Sequence, residues 1–150
     1  SFAKQKGLMP AAAMRRVASC RVFTFYQLAA LVSEHLVRAV EDYGTRLVVV
    51  SDVLGTFNEP ELDEREARRV LGAVEEGLEK VKKRALVIAT LVSPNRYDDT
   101  VASWSDTMVR LSPDGGNVNA ELLKHRNRVP GAATFRLSQL LRATRTEAPR

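Results

Sequence analysis

The sequence predicts an α/β fold: a mostly parallel sheet flanked by helices, with an antiparallel hairpin extension at its C-terminal end. Three observations carry that expectation. Two unbroken apolar runs, RLVVVSDV over residues 46–53 and RALVIATLV over 84–92, have the composition of parallel strands buried on both faces. Between them, and again over 24–43, apolar residues recur at helical period, so the chain alternates as βαβαβ and right-handed crossovers are expected. Further on, two short apolar segments flank Ser112-Pro-Asp-Gly-Gly116, a turn signal between hairpin strands.

Residues 1–13 (SFAKQKGLMPAAA) hold no sustained period and contain Gly7 and Pro10, so they read as an N-terminal arm. The domain itself is expected over 14–140, and residues 141–150 read as a frayed basic tail. Residues 15–23 (RRVASCRVF) mix β-branched and aromatic types and predict the first strand. Thr24 opens the first helix, with Gln27 completing a capping box and Phe23 and Leu28 at hydrophobic-staple spacing. Leu28, Leu31, Val32, Leu36, Ala39 and Val40 form its apolar stripe, and Gly44 supplies the stop. His35 lies just off the stripe with no second ligand type at i+4, so it reads as a helix-surface histidine. A second amphipathic helix is expected across about 61–82, its outer side crowded with charges spaced for surface ion pairs. Residues 93–106 read as a polar loop, 107–111 and 117–124 as hairpin strands, and 132–137 as a last short strand.

One cysteine, Cys20, excludes an internal disulfide, and without CxxC or a Cys/His cluster no structural zinc is expected. No apolar stretch approaches the roughly 20 residues of a membrane span, so a cytoplasmic location without membrane contact is expected. The net charge of +5 is unevenly placed: residues 1–109 balance at 15 basic and 15 acidic, whereas 110–150 carry eight basic against three acidic. That bias suits a polyanionic partner, and it equally suits a solvated basic face.

The run RLVVVSDVLGTF has the form of a Walker B strand, in which a carboxylate at the strand end holds magnesium beside nucleotide phosphates. Asp52 is that carboxylate, although many α/β strands end in an Asp with a loop or capping role. In order follow an amphipathic helix, ALVIAT, a polar loop, TMVRLSPDGGNVNAELLKHRNRVPG and ATFRL. This succession over residues 14–138 resembles the C-terminal two-thirds of the RecA/RadA-type recombinase ATPase core. The resemblance implies a RecA-like sheet, with the 93–106 loop facing DNA through Arg96, Tyr97 and Trp104. It also implies that Lys124, Arg126 and Arg128 occupy the region from which family members reach a nucleotide across a subunit boundary. Alternate strand positions share a face, so these three predict one basic row. An edge protected by charge against aggregation is the other reading of that row.

The departures from the family are as informative. No GxxxxGK[ST] phosphate loop occurs in the sequence. Ser51 falls where the family has its metal-binding carboxylate, which leaves Asp52 one residue displaced and, on a strand, turned to the opposite face. Thr90-Leu91 stands in place of the polar pair that senses the γ-phosphate, leaving only Thr90 able to hydrogen-bond there. Asp98, Asp99 and Asp106 would oppose a phosphate backbone near the DNA loop. The expectation is therefore a RecA-like domain that neither binds ATP tightly nor hydrolyses it alone, with ATP and Mg bound only if other sequence completes the site. Its expected role is a regulator or partner in DNA recombination and repair, as a homo-oligomer or with a RecA/RadA-like partner, with weak DNA binding. Two alternatives stand beside it: the C-terminal piece of an active ATPase completed by upstream sequence or another chain, and an assembly module without nucleotide or nucleic acid.

Overall fold

The computed structural model describes residues 7–58 and 62–138. The chain divides into two compact units, one of residues 21–104 and one joining residues 1–20 to 105–150. In chain order the elements are α1 (Pro10–Met14), α2 (Phe25–Ala30), a π-helical turn (Leu31–His35), α3 (Leu36–Asp42), β1 (Leu47–Val50), α4 (Glu64–Lys82), β2 (Leu86–Ala89), α5 (Asp98–Trp104), β3 (Thr107–Asp114), β4 (Asn117–His125) and β5 (Gly131–Arg136). The expected C-terminal tail, and residues 1–6 of the arm, lie outside the described residues. No helix among the described residues is long and apolar enough to cross a membrane.

In the 21–104 unit the first helix begins at its predicted cap, where the Gln27 N–H donates to Thr24 Oγ1 at 3.2 Å. The Gln27 side chain returns to the Phe23 N–H at 2.8 Å. The expected staple does not form: Phe23 is 68% exposed, and the Arg21 guanidinium lies over its ring instead. The helix ends at Gly44, whose φ of +58° suits a residue without a Cβ. There the Thr45 N–H reaches Val40 O and the Gly44 N–H reaches Glu41 O, satisfying carbonyls that a helix end leaves orphaned. Asp63 caps α4 by accepting from the Glu66 N–H at 3.0 Å. Glu66 also takes the Tyr26 hydroxyl, which raises that phenol's pKa. Ala67, Val70, Leu71, Val74, Gly77, Leu78 and Val81 form the buried stripe of α4. Most of that stripe closes a core with Phe25, Leu28, Val32, Val53, Leu54, Phe57 and Tyr97.

β1 and β2 pair in parallel, Val48 opposite Val87 and Val50 opposite Ala89, as the alternation predicts. Two expectations fail here. Residues 15–23 form no strand: they have no ladder partner among the described residues, and β composition alone cannot supply one. Nor are β1 and β2 buried on both sides. Val48, Val50 and Val87 pack against the helices, whereas Leu47, Val49, Leu86 and Ile88 are 43–65% exposed on the other face. Within this unit the helical layer covers one side of the pair.

In the other unit the hairpin forms as predicted and is longer. β3 and β4 meet at Gly115 and Gly116, whose φ values of +49° and +88° make a two-residue turn of type I′ twist. β5 joins β4 as a third antiparallel strand. Directly opposed residues share a face. One face carries the rows Val109–Leu122–Gly131, Leu111–Ala120–Ala133 and Pro113–Val118–Phe135. The opposite face carries Arg110–Glu121–Ala132, Ser112–Asn119–Thr134 and Asp114–Asn117–Arg136. There Arg110 pairs with Glu121 at 3.2 Å and the Thr134 hydroxyl donates to Asn119 Oδ1 at 2.7 Å.

Candidate functional site

The carboxyl ends of paired parallel strands are where α/β sheets place ligands, because the following loops diverge and leave backbone groups exposed. Here that edge gathers Ser51, Asp52 and Thr90, three of the residues singled out in sequence. The Thr90 N–H donates to Val50 O at 3.0 Å and the Val53 N–H to Thr90 O at 3.0 Å, so backbone bonding continues past the end of each strand. The Thr90 hydroxyl accepts the Asp52 N–H at 2.9 Å.

Asp52 itself has a φ of +51°, in the left-handed region that non-glycine residues adopt at a cost. The turn is closed by the Gly55 N–H donating to Asp52 O at 2.9 Å. A Cβ on Gly55 would lie 2.5 Å from Asp52 Oδ2, so the carboxylate rests over a position that only glycine leaves open. The left-handed step ends strand geometry at Asp52, so strand alternation does not decide which face its side chain takes, contrary to expectation. Ser51 and Asp52 are both exposed. A second bond, which sequence reasoning missed, ties the same two loops: Asn95 Nδ2 donates to Asn58 Oδ1 at 2.6 Å. The edge thus presents one carboxylate and two hydroxyls on a braced loop pair. A single carboxylate is a fragment of a magnesium site, needing phosphate oxygens and water for the rest. Among the described residues no group of three or more His, Cys, Asp or Glu could hold a metal ion.

Half of the expected DNA loop is helix, because residues 98–104 are α5. Asn95 and Asp98 nucleate it reciprocally: the Tyr97 N–H donates to Asn95 Oδ1 and the Asn95 N–H to Asp98 Oδ2, each at 3.0 Å. Asp98 and Asp99 then sit in the first turn, where the helix dipole favours negative charge. Tyr97 is 2% exposed, edge-on to Phe57 in the core, so it is not available to stack on a base. Its hydroxyl is one of three buried polar side-chain atoms without a partner among the described residues, with Thr56 Oγ1 and Asp98 Oδ1. Arg96 lies over the Tyr97 ring and donates to Leu62 O at 3.1 Å, which bends it back onto its own unit. Trp104 packs half-buried against the core.

The basic row is likewise redistributed. Lys124 is on β4 opposite Met108, beside a bulge that leaves Leu123 without a partner residue in the register. The strand ends at His125, whose Nδ1 accepts the Asn127 N–H at 3.0 Å, so Arg126 and Arg128 lie in a turn where alternation no longer aligns side chains. Arg126 is ion-paired with Asp106. The three cations share a neighbourhood and not a single row. No family model and no curated protein matches this sequence.

Proposed function

We propose that this chain is a degenerate RecA/RadA-like domain that acts as a regulator or partner in DNA recombination or repair and does not hydrolyse ATP alone. The observation that carries this reading is the meeting of Ser51, Asp52 and Thr90 at the carboxyl edge of β1 and β2, where a RecA-like site keeps its metal and γ-phosphate contacts. With no phosphate loop in the sequence, such an edge lacks the backbone N–H cradle and Lys that supply most of a nucleotide's phosphate contacts. Calorimetric titration with Mg-ATP tests the nucleotide half of the proposal. No heat of binding below millimolar concentration is expected. Micromolar affinity abolished by Asp52→Ala would show a working site and overturn it.

A second reading rests on the bare side of the parallel pair. Leu47, Val49, Leu86 and Ile88 form an exposed apolar face on strands of a type that α/β folds cover on both sides. That face favours a domain completed by other sequence, as the C-terminal piece of an active RecA-like ATPase would be. ATP hydrolysis appearing on addition of a segment carrying a phosphate loop would select this reading over the first.

A further inference from the structure

In the whole sequence only two hydroxyl side chains have an arginine three residues before them: Ser19 after Arg16, and Thr24 after Arg21. Arginine at that spacing is what a basophilic protein kinase reads. Carboxylates beside its cleft take the planar guanidinium through paired hydrogen bonds while the acceptor hydroxyl reaches the catalytic base. Such a cleft threads its substrate as open chain, so the surroundings of each hydroxyl decide between the two. Thr24 is the N-cap of α2: its Oγ1 accepts the Gln27 N–H at 3.2 Å, and Phe25 beside it is buried in the core. Presenting Thr24 to a cleft means unwinding α2 from that core. Ser19 stands in the opposite surroundings. Residues 17–22 have no regular structure, and every residue from Met14 to Arg21 is exposed. Among the described residues Ser19 makes no hydrogen bond or ion pair. Arg15 caps the end of α1 and Arg16 follows it. That helix has five residues, none buried, against the roughly 12 that an isolated helix needs to persist in water. The arginines and the serine can therefore be drawn into one extended stretch without disturbing any core.

We propose that Ser19 is a phosphorylation site for an arginine-directed serine/threonine kinase, with Arg16 as the residue that the kinase recognises. The γ-phosphoryl group of ATP passes to Ser19 Oγ, its bond to the departing ADP breaks, and the hydroxyl proton goes to the kinase's catalytic carboxylate. The phosphate brings a charge of about −1.5 to −2 to residues 15–21, which hold Arg15, Arg16 and Arg21 and no acid. Modification thus brings a basic stretch close to neutral. The test treats the folded full chain with Mg-ATP and the catalytic domain of a calmodulin-dependent protein kinase, which selects Arg three residues before its acceptor. Tandem mass spectrometry locates the phosphate. One phosphate on Ser19 is expected, and none in Ser19→Ala. Arg16→Ala should slow the reaction by about tenfold or more, the effect of losing one charge-assisted pair. Thr24 should stay unmodified in all three chains. A synthetic peptide of residues 14–23, assayed in parallel, reads the motif without the fold. Phosphate on the peptide and none on the folded chain would overturn the proposal, because Ser19 would then be out of reach. It would be overturned equally by a peptide that takes no phosphate, by Thr24 reacting as fast as Ser19, or by an Arg16→Ala rate equal to that of the unaltered chain.

Discussion

At Gly77 on α4 an added Cβ would lie 2.6 Å from Val32 Cγ1 and 2.8 Å from the Val32 carbonyl oxygen. Val32 belongs to the π-helical turn, so the obstacle includes backbone and cannot swing away. Alanine gains about 1 kcal/mol of helix propensity over glycine, and overpacking a core costs about 1–3 kcal/mol. The clash wins: Gly77→Ala should lower the urea midpoint. Gly72 stands on the same helix, where an added Cβ would meet nothing within 4 Å, so Gly72→Ala should gain up to about 1 kcal/mol. Equal shifts from the two substitutions would mean that α4 and the π-helical turn are not packed as described. At Asp52 the backbone strain predicts the opposite of what a binding role wants. Asp52→Gly should stabilise the fold by about 1 kcal/mol, Asp52→Asn should be near neutral, and Asp52→Val should destabilise it. Thermal denaturation of the three variants checks that order.

Asn95 ties together the start of α5 and the loop after β1, through its bonds to Tyr97, Asp98 and Asn58. Asn95→Ala should cost about 1–2 kcal/mol by loss of a cap, and should speed exchange of the α5 amides before those of α4. Simultaneous loosening of both helices would place Asn95 in the core and not at a cap. Elements whose signals are local were legible in the sequence: the Thr24–Gln27 cap, the Gly44 stop, the stripe of α4 and the Gly115–Gly116 turn. The pairing of Val48 with Val87 was legible too, because two apolar runs joined by one amphipathic helix leave few alternatives. The failures all concern partners. Residues 15–23 have strand composition and no neighbour to bond, and β1 has the composition of a strand covered twice and is covered once. α5 was missed because its start, Asn95 with Asp98, has the spacing of a reciprocal cap in a segment read as polar loop.

For the molecule as a whole, the candidate site was legible as residue types and not as geometry. Ser51, Asp52 and Thr90 do meet, while Tyr97 is core and Arg126 is held by Asp106, facts of packing that no spacing rule contains. The charge bias of the C-terminal quarter still predicts weak, salt-sensitive DNA binding, with a log–log salt slope that grows by about 0.7 for each phosphate contacted on a single strand. Asp106→Ala, which releases Arg126 from its pair, should steepen that slope by about 0.7, the increment for one more phosphate contact on a single strand. Fluorescence anisotropy on a single-stranded oligonucleotide across a salt series reads it, and an unchanged slope would leave Arg126 outside the DNA contact. The decisive measurement is the DNA-stimulated ATPase rate of a RecA/RadA-type recombinase titrated with this chain. A saturable change in that rate, with no hydrolysis by the chain alone, is expected. A rate that stays flat through a large molar excess would contradict a role as recombinase partner.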